Sequence, residues 1–182
     1  MADQVQGGLL SPFLRRQRLQ AARPYLQGAV LDFGCGTGAL APWCDQASYV
    51  GVDRDADSIR LAKAAQPNHR FLQELPEQGA FNTIVALAVI EHIKQPEALL
   101  AALKARLATN GQIVLTTPHP AFEWAHELGA KLGFFSGDAA EEHETLIDKA
   151  AMAKLAEAAG LRLLAARRFL FGVNQLFVLR AA

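Results

Sequence analysis

The sequence predicts an α/β protein built on a doubly wound, mostly parallel sheet of seven strands that closes with an antiparallel hairpin. Three observations predict it. Short apolar runs alternate with segments of helical period between Val30 and Thr117. A bend of alternating glycines, Gly34-Cys35-Gly36-Thr37-Gly38, follows the first of these runs. The chain finishes in two strand-like runs separated by Gly172-Val173-Asn174. In such a sheet ligands lie at the carboxyl ends of the strands, so functional residues are expected there.

Taken in order, Pro12 to Leu26 is helix-compatible until Pro24 interrupts it, and residues 1–28 form an amino-terminal helical segment. Its Arg15, Arg16, Arg18 and Arg23 read either as a solvated face or as a basic rim over a ligand pocket. Val30 to Phe33 is the first strand. Ala39 to Cys44 reads as a short helix, with Pro42 tolerated only in a first turn. Tyr49 to Val52 is the second strand and delivers Asp53. Asp55 to Ala65 is a helix whose acidic start and basic later turns suit the helix dipole. His69 to Gln73 is a short third strand, and Pro76 to Gly79 a loop.

Phe81 to Val89 is an almost unbroken apolar run, which suits a central strand buried on both faces, and it empties into Glu91-His92. Pro96 to Leu107 repeats leucine at helical spacing, Asn110-Gly111 reads as a turn, and Gln112 to Thr117 is the fifth strand. Periodicity is lost across 118–146, where Phe122, Trp124, Phe134 and Phe135 lie among Gly129, Gly133 and Gly137. This reads as a variable excursion above the sheet. Lys149 to Ala159 is a helix closed by Gly160, and Leu161 to Phe169 with Gln175 to Leu179 make the terminal hairpin.

A chain of 182 residues fits one domain with a substantial core, and 51% hydrophobic with 20% charged residues is an ordinary globular balance. Eighteen basic and eighteen acidic residues leave a net charge of +0, which disfavours nucleic acid or an anionic membrane as partner. Two cysteines, Cys35 and Cys44, make no secreted-type disulfide framework. With neither a signal-peptide pattern at the start nor an apolar run of ~20 residues, the expected setting is cytoplasmic without integral membrane association. Oligomeric state stays open.

The glycine bend offers bare backbone N–H groups to a ligand. A dinucleotide fingerprint reads Gly-x-Gly-x-x-Gly, but here the third glycine comes one residue early. Asp53, about 20 residues beyond Asp32 at the tip of the second strand, can accept from ribose hydroxyls. The motifs Leu31-Asp32-Phe33-Gly34-Cys35-Gly36-Thr37-Gly38, Gly51-Val52-Asp53 and Val89-Ile90-Glu91-His92 resemble those of the class I S-adenosylmethionine-dependent methyltransferases. The nearest branch is the small-molecule enzymes that include those of quinone biosynthesis. The resemblance covers roughly Val30 to Leu115.

That resemblance implies a Rossmann-like fold and S-adenosylmethionine as cofactor, lying across the tips of the first four strands. Gly34, Cys35, Gly36 and Gly38 would pass the backbone beneath its methionine part, and Asp32 would fix the loop and the ammonium group. Asp53 would take the ribose hydroxyls, Arg54 would cover an adenine face, and Ala86 and Leu87 would offer backbone carbonyls to the ammonium. Gln73 stands where many relatives carry an aspartate on the adenine amino group; its amide carbonyl can accept there instead. Asn82 and Asn110 replace a usual aspartate and glycine at positions that read as structural.

Methyl transfer by in-line displacement mainly requires alignment and exclusion of water, so a base is optional. The histidine candidates are His119, His92 and His143. His119, between Pro118 and Pro120, reads as either a general base or an exposed loop histidine. Glu91-His92 reads as either chemical or capping. His92, His119, His126 and His143 lack zinc-site spacing, so no metal is expected. The sequence thus points to an enzyme moving a methyl group to a small-molecule acceptor. A nicotinamide-dependent oxidoreductase and a non-catalytic cofactor-binding subunit are the alternatives.

Overall fold

The computed structural model describes residues 11–120 and 147–182. Its elements are α1 (Ser11–Ala22), β1 (Val30–Phe33), β2 (Tyr49–Val52), α2 (Ala56–Ala65), β3 (Arg70–Leu72), β4 (Phe81–Leu87), α3 (Pro96–Lys104), β5 (Leu107–Pro118), α4 (Lys149–Ala158), β6 (Leu161–Phe169) and β7 (Asn174–Ala181). The seven strands form one sheet in the order β3-β2-β1-β4-β5-β7-β6. β1 to β5 are mutually parallel, and β7 inserts antiparallel between β5 and β6.

Alternation along each strand splits the core between the two faces of the sheet. Val30, Tyr49, Phe71, Val85, Val114 and Leu176 point to one face and meet Ala21, Ala22, Ile59 and Ala62 of α1 and α2. Leu31, Val52, Ile84, Ile113, Leu115 and Phe177 point to the other and meet Leu100, Leu103, Met152 and Ala156 of α3 and α4. β4 is buried at every position from Thr83 to Ala86, as its unbroken apolar run requires. Truncating a side chain such as Leu31 or Ile113, each fully enclosed, costs about 2–5 kcal/mol.

Local chemistry sets the boundaries. Asp55 caps α2 by accepting from the Ser58 N–H (2.9 Å), and Asp148 caps α4 by accepting from the Ala151 N–H (2.8 Å). Gly160 closes α4 at φ +69°. After α1 a tight 3₁₀ turn at Arg23–Tyr25 takes Pro24, and a second at Ala41–Trp43 takes Pro42 in place of the short helix expected from Ala39. The Tyr25 carbonyl then accepts from Thr83 Oγ1 (3.1 Å) and Gln112 Nε2 (2.8 Å), anchoring the descent from α1 into β1.

Several boundaries differ from the sequence expectation. β4 stops at Leu87 because Ala88 takes a left-handed conformation, φ 56°. α3 stops at Lys104, and β5 begins at Leu107. Asn110-Gly111 therefore form an irregularity inside β5: Phe81 pairs with Leu107 but Thr83 with Gln112, and Asn110 sits at φ 63°. Asn174 is the first residue of β7, and the turn is Leu170 to Val173, with Leu170, Phe171 and Gly172 all at positive φ.

Candidate functional site

Strand order reverses between β1 and β4, and a crevice opens at such a switch point beyond the strand ends. Ladder pairing between β1 and β4 ends at Asp32 with Val85, whereas β4 and β5 stay paired to Leu87 with Thr116. Ala86 and Leu87 thus run past the last β1 partner, beside the glycine bend. The Ala88 N–H donates to the Thr116 carbonyl (2.9 Å), which holds the left-handed kink in place.

The bend is tied to the end of β2. Gly34 and Cys35 N–H groups both donate to the Val52 carbonyl (2.8 and 3.0 Å), and the Gly38 N–H donates to the Cys35 carbonyl (3.0 Å). The three glycines have different reasons to lack a side chain, although all lie at positive φ (75°, 51° and 75° for Gly34, Gly36 and Gly38). A Cβ at Gly34 would collide with the Val89 side chain, and one at Gly38 would meet Phe71 Cζ at 2.8 Å. One at Gly36 would meet no atom within 4 Å. The outer glycines serve packing, while the middle one borders open space.

Asp53 follows β2, and its own N–H donates to the Leu72 carbonyl (3.1 Å). Its carboxylate lies against the bend. Oδ2 accepts from the Gly36 N–H at 2.8 Å and Oδ1 from the Asp55 N–H at 3.0 Å. An ionised carboxylate has about four acceptor positions, so two stay available for further donors. Arg54 and Gln73, after β2 and β3, are exposed.

Asp32 lies deeper, only 4% exposed, and Oδ2 accepts from the Tyr49 hydroxyl at 2.9 Å. Burial pushes its carboxyl up to about 7; the Tyr49 hydrogen bond works against that, and nearby Asp53 adds to it. Cys35 and Cys44 are free thiols. Burial raises both, assisted by the Asp32 charge, so Cys44 reaches about 12 and neither ionises near neutral pH.

On the β5 side, His119 is 8% exposed, and its N–H donates to the Val173 carbonyl (2.8 Å). The expectation of an exposed loop histidine is therefore corrected: the β6–β7 turn pins this residue inward. Burial lowers its imidazole, Arg168 lowers it further, and Asp148 opposes both. It borders a cleft of about 670 Å³ shared with Asp148, Lys149, Arg168, Gln175 and Phe177. That cleft is not at the glycine bend, where the Gly34, Cys35, Gly36 and Gly38 N–H groups, expected to be bare, all have protein acceptors, while the Asp53 carboxylate keeps acceptor positions to spare.

Glu91 and His92 lie on a 3₁₀ turn, Ile90–His92, with Glu91 buried and His92 exposed. His126, His143 and the aromatic and glycine residues of 121–146 lie outside the described residues. Asn82 is structural, its Oδ1 accepting from the Ala29 N–H (2.9 Å). The arginines of the first segment divide. Arg15 donates to Thr37 Oγ1 (3.4 Å) in the bend and Arg18 to Asn174 Oδ1 (3.0 Å), while Arg23 stacks over Trp43. Reading motifs alone missed Tyr49, whose contact with Asp32 depends on the β1–β2 register.

A family model described as a methyltransferase domain matches residues 7–166. The chain belongs to that family. It is a class I S-adenosylmethionine-dependent methyltransferase domain, which answers the nicotinamide alternative. Among its relatives, a malonyl-[acyl-carrier protein] O-methyltransferase of Halalkalibacterium halodurans is 32% identical over 50% of this chain and 40% of that protein. A mitochondrial ubiquinone biosynthesis O-methyltransferase of Candida albicans is 29% identical over 48% and 32%. A tRNA U34 carboxymethyltransferase of Shewanella woodyi is 34% identical over 52% and 32%.

The methyltransferase domain spans less than half the length of these curated relatives. Its fold matches magnesium protoporphyrin IX methyltransferase of Synechocystis PCC 6803, solved with bound SAH, at a TM-score of 0.71 and 19% identity. That match covers 100% of this chain and 89% of the other. Among the described residues, no helix is long and apolar enough to cross a membrane.

Proposed function

We propose that this methyltransferase domain is catalytically active and transfers the methyl group of S-adenosylmethionine to a small-molecule acceptor. The observation that carries the reading is the pairing of Asp53 with the bend: a carboxylate hydrogen-bonded to Gly36 N–H, two acceptor positions to spare, and open space over Gly36. Asp53 would receive the ribose hydroxyls. Gly34, Cys35, Gly36 and Gly38 would run beneath the amino-acid tail, and Asp32, with the Ala86 and Leu87 carbonyls, would face its ammonium. Gln73 and Arg54 would border the adenine.

Bound cofactor supplies a sulfonium-borne methyl group for in-line displacement. The chain's task is to align the acceptor and keep water out. His119 is the strongest candidate base, because burial favours the neutral imidazole that can take a proton; His92 and His143 are weaker candidates. The single domain works in the cytoplasm, and the balanced net charge favours a small acceptor over the tRNA that one relative's name records.

The test measures S-adenosylhomocysteine release against phenols, carboxylic acids, amines and tRNA as separate arms. Turnover with a small molecule and none with tRNA is expected. Turnover confined to tRNA overturns the acceptor class, and tight cofactor binding with no turnover across a broad panel favours the non-catalytic alternative.

A further inference from the structure

Tyr49 opens β2 beside Val30, and Gly51 stands beside Asp32 in the same ladder. Residues two apart on a strand share a face, so Tyr49 lies on the Asp32 side and reaches it only by passing over residue 51. Glycine makes that passage possible. A Cβ at Gly51 would sit 2.9 Å from the Tyr49 hydroxyl and 2.6 Å from Phe71 Cδ1. The ring is held edge-on by His69 (5.4 Å between centroids) and Phe71 (5.7 Å), and it is almost fully enclosed. Its hydroxyl ends 2.9 Å from Asp32 Oδ2.

We propose that Tyr49 is a positioning residue for cofactor binding: its hydroxyl keeps the buried Asp32 carboxylate charged and fixed beneath the glycine bend. This rests on the reading that Asp32 faces the cofactor's ammonium group. The groups around that carboxylate are Tyr49 itself, Cys35, Cys44 and Asp53. The two thiols and the phenol stay neutral near pH 7, since burial raises all three, and Asp53 is an anion that disfavours a second charge. Among these neighbours, the Tyr49 hydroxyl is the group that favours the ionised form of Asp32. Without it, Asp32 would hold its proton to higher pH and lose its attraction for a cation.

The experiment is titration of S-adenosylhomocysteine into the full chain by calorimetry at intervals from pH 5.5 to 9. It compares the unmodified protein, Tyr49→Phe, Asp32→Asn and the double variant. In the unmodified protein, affinity should climb with pH to a break near 7. In Tyr49→Phe, which keeps the ring and its packing, the break should move up by about one to two pH units, with affinity recovering at the alkaline end. Asp32→Asn should show no such break, and adding Tyr49→Phe to it should introduce none.

A break in Tyr49→Phe at the unmodified position, or a loss of affinity equal at every pH, overturns the proposal. A pH-dependent effect of Tyr49→Phe in the Asp32→Asn background overturns it too, because Tyr49 would then act through another titrating group. If the unmodified protein binds no S-adenosylhomocysteine at any pH, the cofactor reading itself falls and takes this inference with it.

Discussion

Replacing Asp32 by asparagine should convert a pH-dependent stability into a flatter one. The side chain keeps its size, and its amide oxygen can still accept from the Tyr49 hydroxyl, so the change removes mainly the titration. In the folded protein the Asp32 carboxyl titrates at about 7, against the ordinary value of 3.8. Between those values the folded state holds a proton that the unfolded state has released, so raising the pH through the window destabilises the fold. The separation, at about 1.4 kcal/mol per pH unit, sets a ceiling of about 4 kcal/mol, present below pH 4 and lost above pH 7. The assay is urea unfolding of both proteins at pH 5, 6, 7 and 8.

The stability of Asp32→Asn relative to the parent should rise with pH, by about 2–3 kcal/mol between pH 5 and 7.5, and then level off. His119 pulls the opposite way, since its lowered imidazole destabilises the fold as pH drops below about 6.5, but it is common to both proteins and cancels in the difference. A difference that stays constant from pH 5 to 8 would refute the reasoning, for Asp32 would then titrate alike in folded and unfolded chains.

Asp53→Asn should weaken S-adenosylhomocysteine by about 10- to 100-fold, the worth of one or two hydrogen bonds to a charged acceptor, as read by calorimetry. Gly36→Ala should cost only the left-handed strain, about 1–2 kcal/mol in urea unfolding, because nothing lies near the new methyl. Its cofactor affinity should nevertheless fall at least tenfold. Gly34→Ala should cost more, about 2–4 kcal/mol, because the same strain is joined by a collision with Val89. Once an acceptor is found, His119→Gln should lower kcat by about 100-fold or more if it is the base. Affinity for S-adenosylhomocysteine should stay unchanged, and equal kcat would remove His119 from the chemistry.

Much of the fold is written in local patterns. The seven strands, the capping of α2 by Asp55 and the closure of α4 by Gly160 follow from spacing and turn chemistry that need no tertiary information. The meeting of the bend with Asp53 was legible for a further reason, since a glycine turn after the first strand and a carboxylate after the adjacent parallel strand fall at the same end of the sheet. What escaped depends on partners distant in sequence. Asn110-Gly111 carries a local turn signal, yet pairing of Leu107 with Phe81 draws the preceding residues into β5 and leaves the dipeptide as an irregularity. His119 between two prolines has the local character of an exposed loop, but a carbonyl 54 positions later, at Val173, pulls it inward. The Tyr49 to Asp32 contact requires the register of two strands and a glycine between them.

The central claim is tested most directly by a crystal structure of this chain with S-adenosylhomocysteine. Both ribose hydroxyls should lie within about 3 Å of the Asp53 carboxylate oxygens, with the amino-acid tail crossing Gly36. A well-ordered ligand seated elsewhere, with Asp53 still engaged only by Gly36 and Asp55 backbone, would contradict the account.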